Sequence, residues 1–419
     1  MSRIEYQNIK RQDLLIGSEE VFIQEFPQDS PHFALISLPQ IYWADNSAWD
    51  VANLYAYDLF FDKNRNIKTV QTDMMHLNAY ASWLESYSDL DWLTFPQRKS
   101  DRCLYIFRGE LIKERNNQKI SPSTAVHRMR AIIKFYRWVQ KKNLIDQNTE
   151  MWEDKKLKVT AFNKFGFEHT FDVTTTDLAI KLNRNVSNID LEYGVSPISP
   201  DDVISILNFA KKHAPIEIYL MLKLGFYTGM RVGSITDLKV ETLDEKNFVY
   251  LQDMSMGMIT IGNQAHPPVQ TKFSKTGNVI IPTDLKDELL EYARSVRRLK
   301  RTFNSEFPDH LFLTARGNKY LDNNSQSVNV AIHRLRKQGL KEGVYAFKDF
   351  YFHRTRATFA TILMRYCLNK MDVASAVSFV KDCCMHSDEK TTMKYVKFIE
   401  QNKQLAKISN EYTKAFLGL

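Results

Sequence analysis

The chain has 419 residues, enough for two or three domains whose apolar cores need no disulfide or metal staple. Its longest apolar stretch, Ile216 to Met230, is broken by Glu217 and Lys223, and the opening MSRIEYQNIK has no apolar core. Neither a membrane span nor a signal peptide is expected from that pattern. The four cysteines (Cys103, Cys367, Cys383, Cys384) form neither a CxxC pair nor a disulfide framework, which points to a reducing, cytoplasmic setting.

Net charge is +8, unevenly placed. Residues 1–60 hold three bases against nine acids, a balance of −6, so the other 359 residues carry +14. A basic body suits a polyanionic partner. Glycine and proline together number only 26, which favours a helix-rich chain with few turns.

In chain order, residues 1–60 read as an acidic N-terminal extension. Residues 61–148 read as a helical domain, helical in pattern from Lys68 to about Leu144. Its clearest helix follows Ser121-Pro122-Ser123, a serine cap with an early proline. There Met129, Ile132, Ile133 and Tyr136 recur at i, i+3, i+4 and i+7 as an apolar face. Arg130, Lys134, Arg137 and Lys141 form a basic stripe beside it, within roughly 60° on the helical wheel. That stripe is either a solvated face or a phosphate-binding one. Residues 149–197 read as a connector in which Leu157 to Val173 alternates enough for a strand. A second domain, 198–419, opens at Ser199-Pro200-Asp201-Asp202, with Val203, Ile206, Leu207 and Ala210 as its apolar face. Phe248 to Leu251 and Val279 to Ile281 read as short strands flanking turn-formers such as Thr276-Gly277-Asn278, and helix resumes from Asp284 to the end.

Four pieces of the second domain carry chemistry. Thr228-Gly229-Met230-Arg231 ends an apolar helix on an arginine able to hold a phosphate bidentately. Phe273-Ser274-Lys275-Thr276-Gly277 runs into Asn278 to Pro282 and reads as a hairpin with Lys275 at its tip. In His353-Arg354-Thr355-Arg356, a base and a guanidinium three residues apart share a helix face. The last piece runs from His386 to Tyr395 through Thr391-Thr392. Taken singly, each has a bland reading as a salt bridge, an exposed turn lysine or a buried aromatic.

Taken in order, Arg231, Lys275, His353-x-x-Arg356, His386 and Tyr395 resemble the six-part signature of the tyrosine recombinases, the integrase and Xer-like DNA strand-exchange enzymes. The resemblance runs from about residue 68 to the C-terminus. It implies a mainly α fold with a small β-sheet, α+β in the catalytic domain, in which a helical core DNA-binding domain and that catalytic domain form a clamp around DNA. Three positions depart from the usual pattern: Ser234 stands for an acid, Ala357 for a histidine and Met385 for a glycine.

The resemblance further implies that Tyr395 attacks a scissile phosphodiester to leave a 3′-phosphotyrosine, with His353 as base. Arg231, Arg356 and His386 would hold the phosphate and Lys275 would protonate the 5′-oxygen. No metal, ATP or other cofactor is implied. The implied partners are double-stranded DNA, a homo-tetramer on two DNA sites and accessory DNA-bending proteins, with no membrane and a nucleoid-associated location. The implied function is site-specific integration or excision of a mobile element. A type IB topoisomerase, a telomere-resolving enzyme and a catalytically silent DNA-binding regulator are the alternatives. DNA-contact candidates are Arg130, Lys134, Arg137 and Lys141, with Arg334, Arg336 and Lys337. The run Arg294, Arg297, Arg298, Lys300 and Arg301 is either a further contact or a solvated face. Residues 402–419 place Leu405, Ile408, Tyr412 and Phe416 on one narrow apolar stripe, buried either on its own domain or against a neighbouring protomer.

Overall fold

The computed structural model describes residues 1–9, 13–16, 21–24, 36–162, 168–181, 191, 195–252, 254–303, 305–322 and 325–401. The stripe at 402–419 lies outside them. Helices predominate, with small antiparallel sheets, and the chain divides into Met1–Asn185 and Val186–Leu419. Among the described residues no helix is long and apolar enough to cross a membrane.

The first unit contains β1 (Arg3–Ile9), β2 (Asp13–Ile16), β3 (Val21–Gln24), β4 (Ile36–Tyr42), α1 (Asp50–Tyr57), α2 (Ile67–Leu84), α3 (Cys103–Asn116), α4 (Pro122–Lys141), β5 (Asp154–Phe162) and β6 (Glu168–Thr176). α4 starts where its cap predicts: Ser121 Oγ accepts the Thr124 N–H at 3.0 Å. Its apolar residues meet Tyr55, Tyr80, Phe107 and Trp49 in one aromatic-rich core. Residues 1–60, set apart by their charge, supply Leu38, Ile41, Trp49 and Ala52 to that same core. The region read as one strand is two, β5 and β6, paired in a hairpin register that sets Leu157 opposite Val173.

In the second unit, α5 (Pro200–His213) is capped by Ser199, whose Oγ accepts the Asp202 N–H at 3.1 Å. α6 (Ile216–Thr228) is buried almost all round, the expectation for a helix apolar on every side. Next come α7 (Val232–Thr236) and a three-stranded antiparallel sheet, β7 (Phe248–Tyr250), β8 (Met256–Ile261) and β9 (Gly277–Pro282). β8 has no counterpart among the strands expected from sequence, and Gly277-Asn278 opens β9 rather than forming a turn. α8 (Thr283–Arg294) and α9 (Val296–Thr302) follow. The expected unbroken helical texture then stops: Leu311 to Leu313 are buried outside any helix, and β10 (Leu321–Asp322) pairs with β11 (Ser325–Gln326). α10 (Ser327–Lys341), α11 (Arg354–Leu368), α12 (Val373–Cys383) and α13 (residues 389–401) complete the unit.

Two glycines let α11 lie close on α6. A Cβ at Gly225 would sit 2.5 Å from Thr355 Oγ1, and one at Gly229 would sit 2.3 Å from Phe359 Cδ1. Gly229 also ends α6 in the left-handed conformation, at φ 66°. The close approach brings the arginine after α6 beside the arginine of α11.

Candidate active site

Arg231 follows Gly229 closely and precedes the first residue of α7. It lines a small cleft together with Lys275, Arg356, Ser234, Thr271 and Lys272. Arg356 is 3% exposed and rigidly aimed: Nη1 donates to the Gly229 carbonyl at 2.8 Å and Nη2 to the Cys384 carbonyl. Three of the six motif residues, from three separate elements, therefore meet at one place. With Lys272 the cleft is lined by four cationic groups, a local field suited to an anion.

Lys275 does not crown a hairpin tip. It stands two residues before β9, at the foot of the β8–β9 hairpin, because the 262–276 connection folds back on itself. There the Thr271 hydroxyl donates to the Lys275 carbonyl. Its Nζ donates to the His386 carbonyl at 3.1 Å. Lys272 lines the same cleft, with its Nζ 5.1 Å from the centre of the exposed Phe273 ring.

His353 is half-buried at the N-cap of α11, one turn ahead of Arg356. His386 is 4% exposed; its Nδ1 lies 2.8 Å from Thr392 Oγ1, and its ring is parallel to that of Tyr395 with centroids 6.1 Å apart. Tyr395 stands on α13, which Asp388 caps by accepting the Thr391 N–H at 2.8 Å. That backbone bond, the largest influence on it, holds the Asp388 carboxyl below its usual range. Tyr395 is fully buried, packed with Ala360, Met364, Val377 and Val380 of α11 and α12. It does not line the cleft.

The three departures sit in supporting places. Ser234 is buried at the cleft wall, and Ala357 is buried in α11. Met385 takes φ 49°, a left-handed value that suits glycine, and its side chain packs against Gly277. Cys383 also lines the cleft. Burial, with Cys384 and Cys367 nearby, pushes its thiol up to about 12, which makes it inert.

Of the DNA-contact candidates, Arg130, Lys134, Arg137 and Lys141 are all exposed on α4. The first three line a groove of the first unit with Thr174, Thr175 and Thr176. On α10, Arg334 and Lys337 are exposed and Arg336 is half-buried; two residues of separation put Arg334 and Arg336 on different sides of the helix. In the run at 294–301, Arg294 and Lys300 are exposed, while its other three arginines have partners inside the unit. Arg297 and Arg301 pair with the fully buried Glu217, and buried Arg298 donates to the carbonyls of Ala293, Pro308, His310 and Leu311. Sequence reading missed two acids that organise this unit, Glu217 inside α6 and Asp237 at the end of α7. Glu217 left one signal, an acid in an otherwise apolar helix.

Solved structures resemble this chain in fold. The Tn1549 transposon integrase in complex with a circular intermediate DNA has a TM-score of 0.51 at 14% identity, covering 82% of this chain and 94% of that one. The same integrase in complex with transposon right end DNA gives 0.51 and 14%, covering 85% and 99%. A lambda integrase dimer bound to a COC′ core site gives 0.50 and 14%, covering 83% and 76%. At these identities the likeness is one of fold. No curated protein matches the chain. Residues 197–401, which include all six motif positions, match the phage integrase family, which supports a tyrosine recombinase.

Proposed function

We propose that the chain is a site-specific DNA recombinase that cuts and rejoins duplex DNA through a 3′-phosphotyrosine, serving the integration or excision of a mobile element. The observation that carries this is the meeting of Arg231, Lys275 and Arg356 at one cleft, with His386 bonded to Lys275 and parallel to Tyr395. Arg231 and Arg356 hold the non-bridging oxygens and stabilise the charge that grows on them, the role Mg²⁺ fills elsewhere. The Tyr395 oxygen forms a bond to phosphorus, its proton passing to His353, and the bond from phosphorus to the 5′-oxygen breaks. Lys275 protonates that leaving oxygen. Rejoining runs the same steps backwards, so the phosphoester bond energy is kept and no nucleotide is consumed. Because Tyr395 is fully buried in this arrangement, attack requires α13 to shift first.

The exposed stripe of α4, beside its groove, supports a duplex-binding role for the first unit, in which phosphate contacts set position and groove contacts set sequence. Exchange joins two duplexes at four active sites, so a tetramer on two DNA sites is the assembly this reading needs.

The test is covalent trapping on a library of nicked random-sequence duplexes, followed by sequencing of the DNA left on the protein after denaturation. Wild type should give adducts that share one sequence, and Tyr395→Phe should give none while still binding DNA. Adducts that survive Tyr395→Phe would remove Tyr395 from the reaction. Relaxation of supercoils without exchange between two site-bearing duplexes would favour a topoisomerase instead.

A further inference from the structure

Ser234 leaves the segment after Arg231 without the acid expected there, yet a carboxylate stands one helical turn further on. Asp237 ends α7 and is 18% exposed. Its Oδ2 accepts the Gln270 backbone N–H at 2.7 Å and the Lys239 ammonium at 2.7 Å, and its Oδ1 lies 3.1 Å from His310 Nε2. A carboxylate only accepts, so His310 carries its proton on Nε2 and points it at Asp237. His310 Nδ1 is buried and finds no hydrogen bond among the described residues, so the ring's polar contact is the one with Asp237.

These partners differ in what else holds them. The segments around Lys239 and His310 are already joined by backbone bonds, Val240 N–H to the Asp309 carbonyl at 2.9 Å and Leu311 N–H to the Leu238 carbonyl at 2.8 Å. The bond to Gln270 instead ties α7 to the 262–276 connection, directly ahead of its functional turn. From residue 271 the chain makes that turn, with the Thr271 hydroxyl on the Lys275 carbonyl and the Ser274 N–H on the Thr271 carbonyl at 3.2 Å. Phe273 and Ser274 both adopt left-handed conformations, at φ 63° and 53°. Two such non-glycine residues in succession persist only where the surroundings over-determine them. Burial alone would raise the Asp237 carboxyl, but His310, Lys239 and the Gln270 N–H outweigh it and keep the group ionised.

We propose that Asp237 is a positioning residue for Lys275: its carboxylate fixes the 270–275 turn on the element that presents Arg231, so that phosphate clamping and leaving-group protonation share one rigid frame. This rests on the reading of Lys275 as the leaving-group acid. Asp237 touches neither the DNA nor the reacting atoms; it acts through the turn.

The experiment uses the full chain and a nicked duplex bearing the site found by trapping, with either an ordinary scissile phosphate or a 5′-bridging phosphorothiolate, whose sulfur leaves without a proton. Cleavage is read as the rate of adduct formation for wild type, Asp237→Asn, Asp237→Glu, Lys275→Ala and Arg356→Ala, with DNA binding measured for each. Positioned acid catalysis supplies about 10²–10⁴-fold, so Asp237→Asn should lose roughly 10–100-fold on the ordinary phosphate and recover most of that on the phosphorothiolate. Asp237→Glu keeps the charge but displaces it by one methylene, and should show the same pattern more weakly. Lys275→Ala should be rescued and Arg356→Ala should not. Rescue of Lys275→Ala alongside an equal defect of both Asp237 variants on both substrates, or no defect at all, overturns the proposal and leaves Asp237 a structural role. If Lys275→Ala is itself not rescued, the Lys275 assignment falls first and this inference falls with it.

Discussion

On α4 the bases Arg130, Lys134, Arg137 and Lys141 all stand exposed on one side of the helix, whereas on α9 Arg297, Arg298 and Arg301 turn to a buried acid and to carbonyl groups. The two stretches look alike as sequence, yet their partners differ: Arg137 pairs at the surface with Asp154, whereas the α9 arginines reach buried groups. Spacing accounts for part of the difference. Steps of three and four keep the α4 bases together, while Arg297 and Arg298 point about 100° apart. The larger part lies 80 residues away, in Glu217. Its Oε1 accepts from Arg297 Nε at 2.7 Å and from the Tyr292 hydroxyl at 3.1 Å, with Arg301 Nη1 at 2.7 Å. A carboxylate buried in an apolar helix needs cations, and the α9 arginines supply them. Charge on a helix is free for a polyanion only where no buried partner claims it.

The largest effect expected from this contrast belongs to Arg298. Arg298→Ala leaves several buried carbonyls without a donor, at about 1–3 kcal/mol each, so the second unit should lose roughly 3 kcal/mol or more. For a unit of this size that is a fall in melting temperature of roughly 6–12 °C. Calorimetry of the full chain would check it; a melting curve within a degree of wild type would return the α9 run to the DNA-contact candidates.

The converse variant is the double change Arg130→Ala with Lys134→Ala. Both residues are exposed, and Lys134 Nζ lies 4.0 Å from Asp73 Oδ2, at the outer limit of an ion pair. Stability should move by no more than about 0.5 kcal/mol. DNA affinity should fall, and the slope of log affinity against log salt should shrink by about 0.9 for each phosphate that is no longer neutralised. Titration of a labelled duplex at several salt concentrations measures both. A stability loss with an unchanged salt slope would show that this face is packing surface after all.

The same contrast marks what could be read from the amino-acid order. The four motifs, the α4 and α5 starts and the paired apolar and basic faces of α4 are local patterns: a serine cap, an early proline and helical spacing decide them within a few residues. β8 escaped because Met256-Gly257-Met258 has a weak strand signature, and its identity depends on β9, whose register begins some twenty residues later. The fold-back of the Lys275 turn depends on Asp237 and Thr271, and the burial of Tyr395 depends on α11 and α12. No spacing rule reports contacts of that kind. Residues 1–60 show the limit of charge as a guide, because an acidic average hid the apolar positions Leu38, Ile41 and Trp49 that enter the core.

The smallest test concerns Lys142, the residue after the α4 stripe, which continues the basic run in sequence but not in use. Its Nζ lies 2.8 Å from Asp58 Oδ1, and Lys63 Nζ lies 2.8 Å from Oδ2. Burial alone would raise the Asp58 carboxyl, yet the hydrogen bonds from Lys142 and Lys63 win and hold it at about 2. The folded pKa is thus below the unfolded one. The stabilisation is complete above about pH 4 and is lost as the pH falls towards 2. The two lysines are nearly half exposed, so solvent screening trims the contribution to about 1 kcal/mol. Asp58→Asn should therefore lower stability by that amount at pH 7 and flatten the acid limb of the stability curve between pH 4 and 2. It should leave the salt dependence of DNA binding as it was. A changed salt slope in this variant would place Lys142 with the stripe on the DNA side of the comparison rather than with the paired bases of α9.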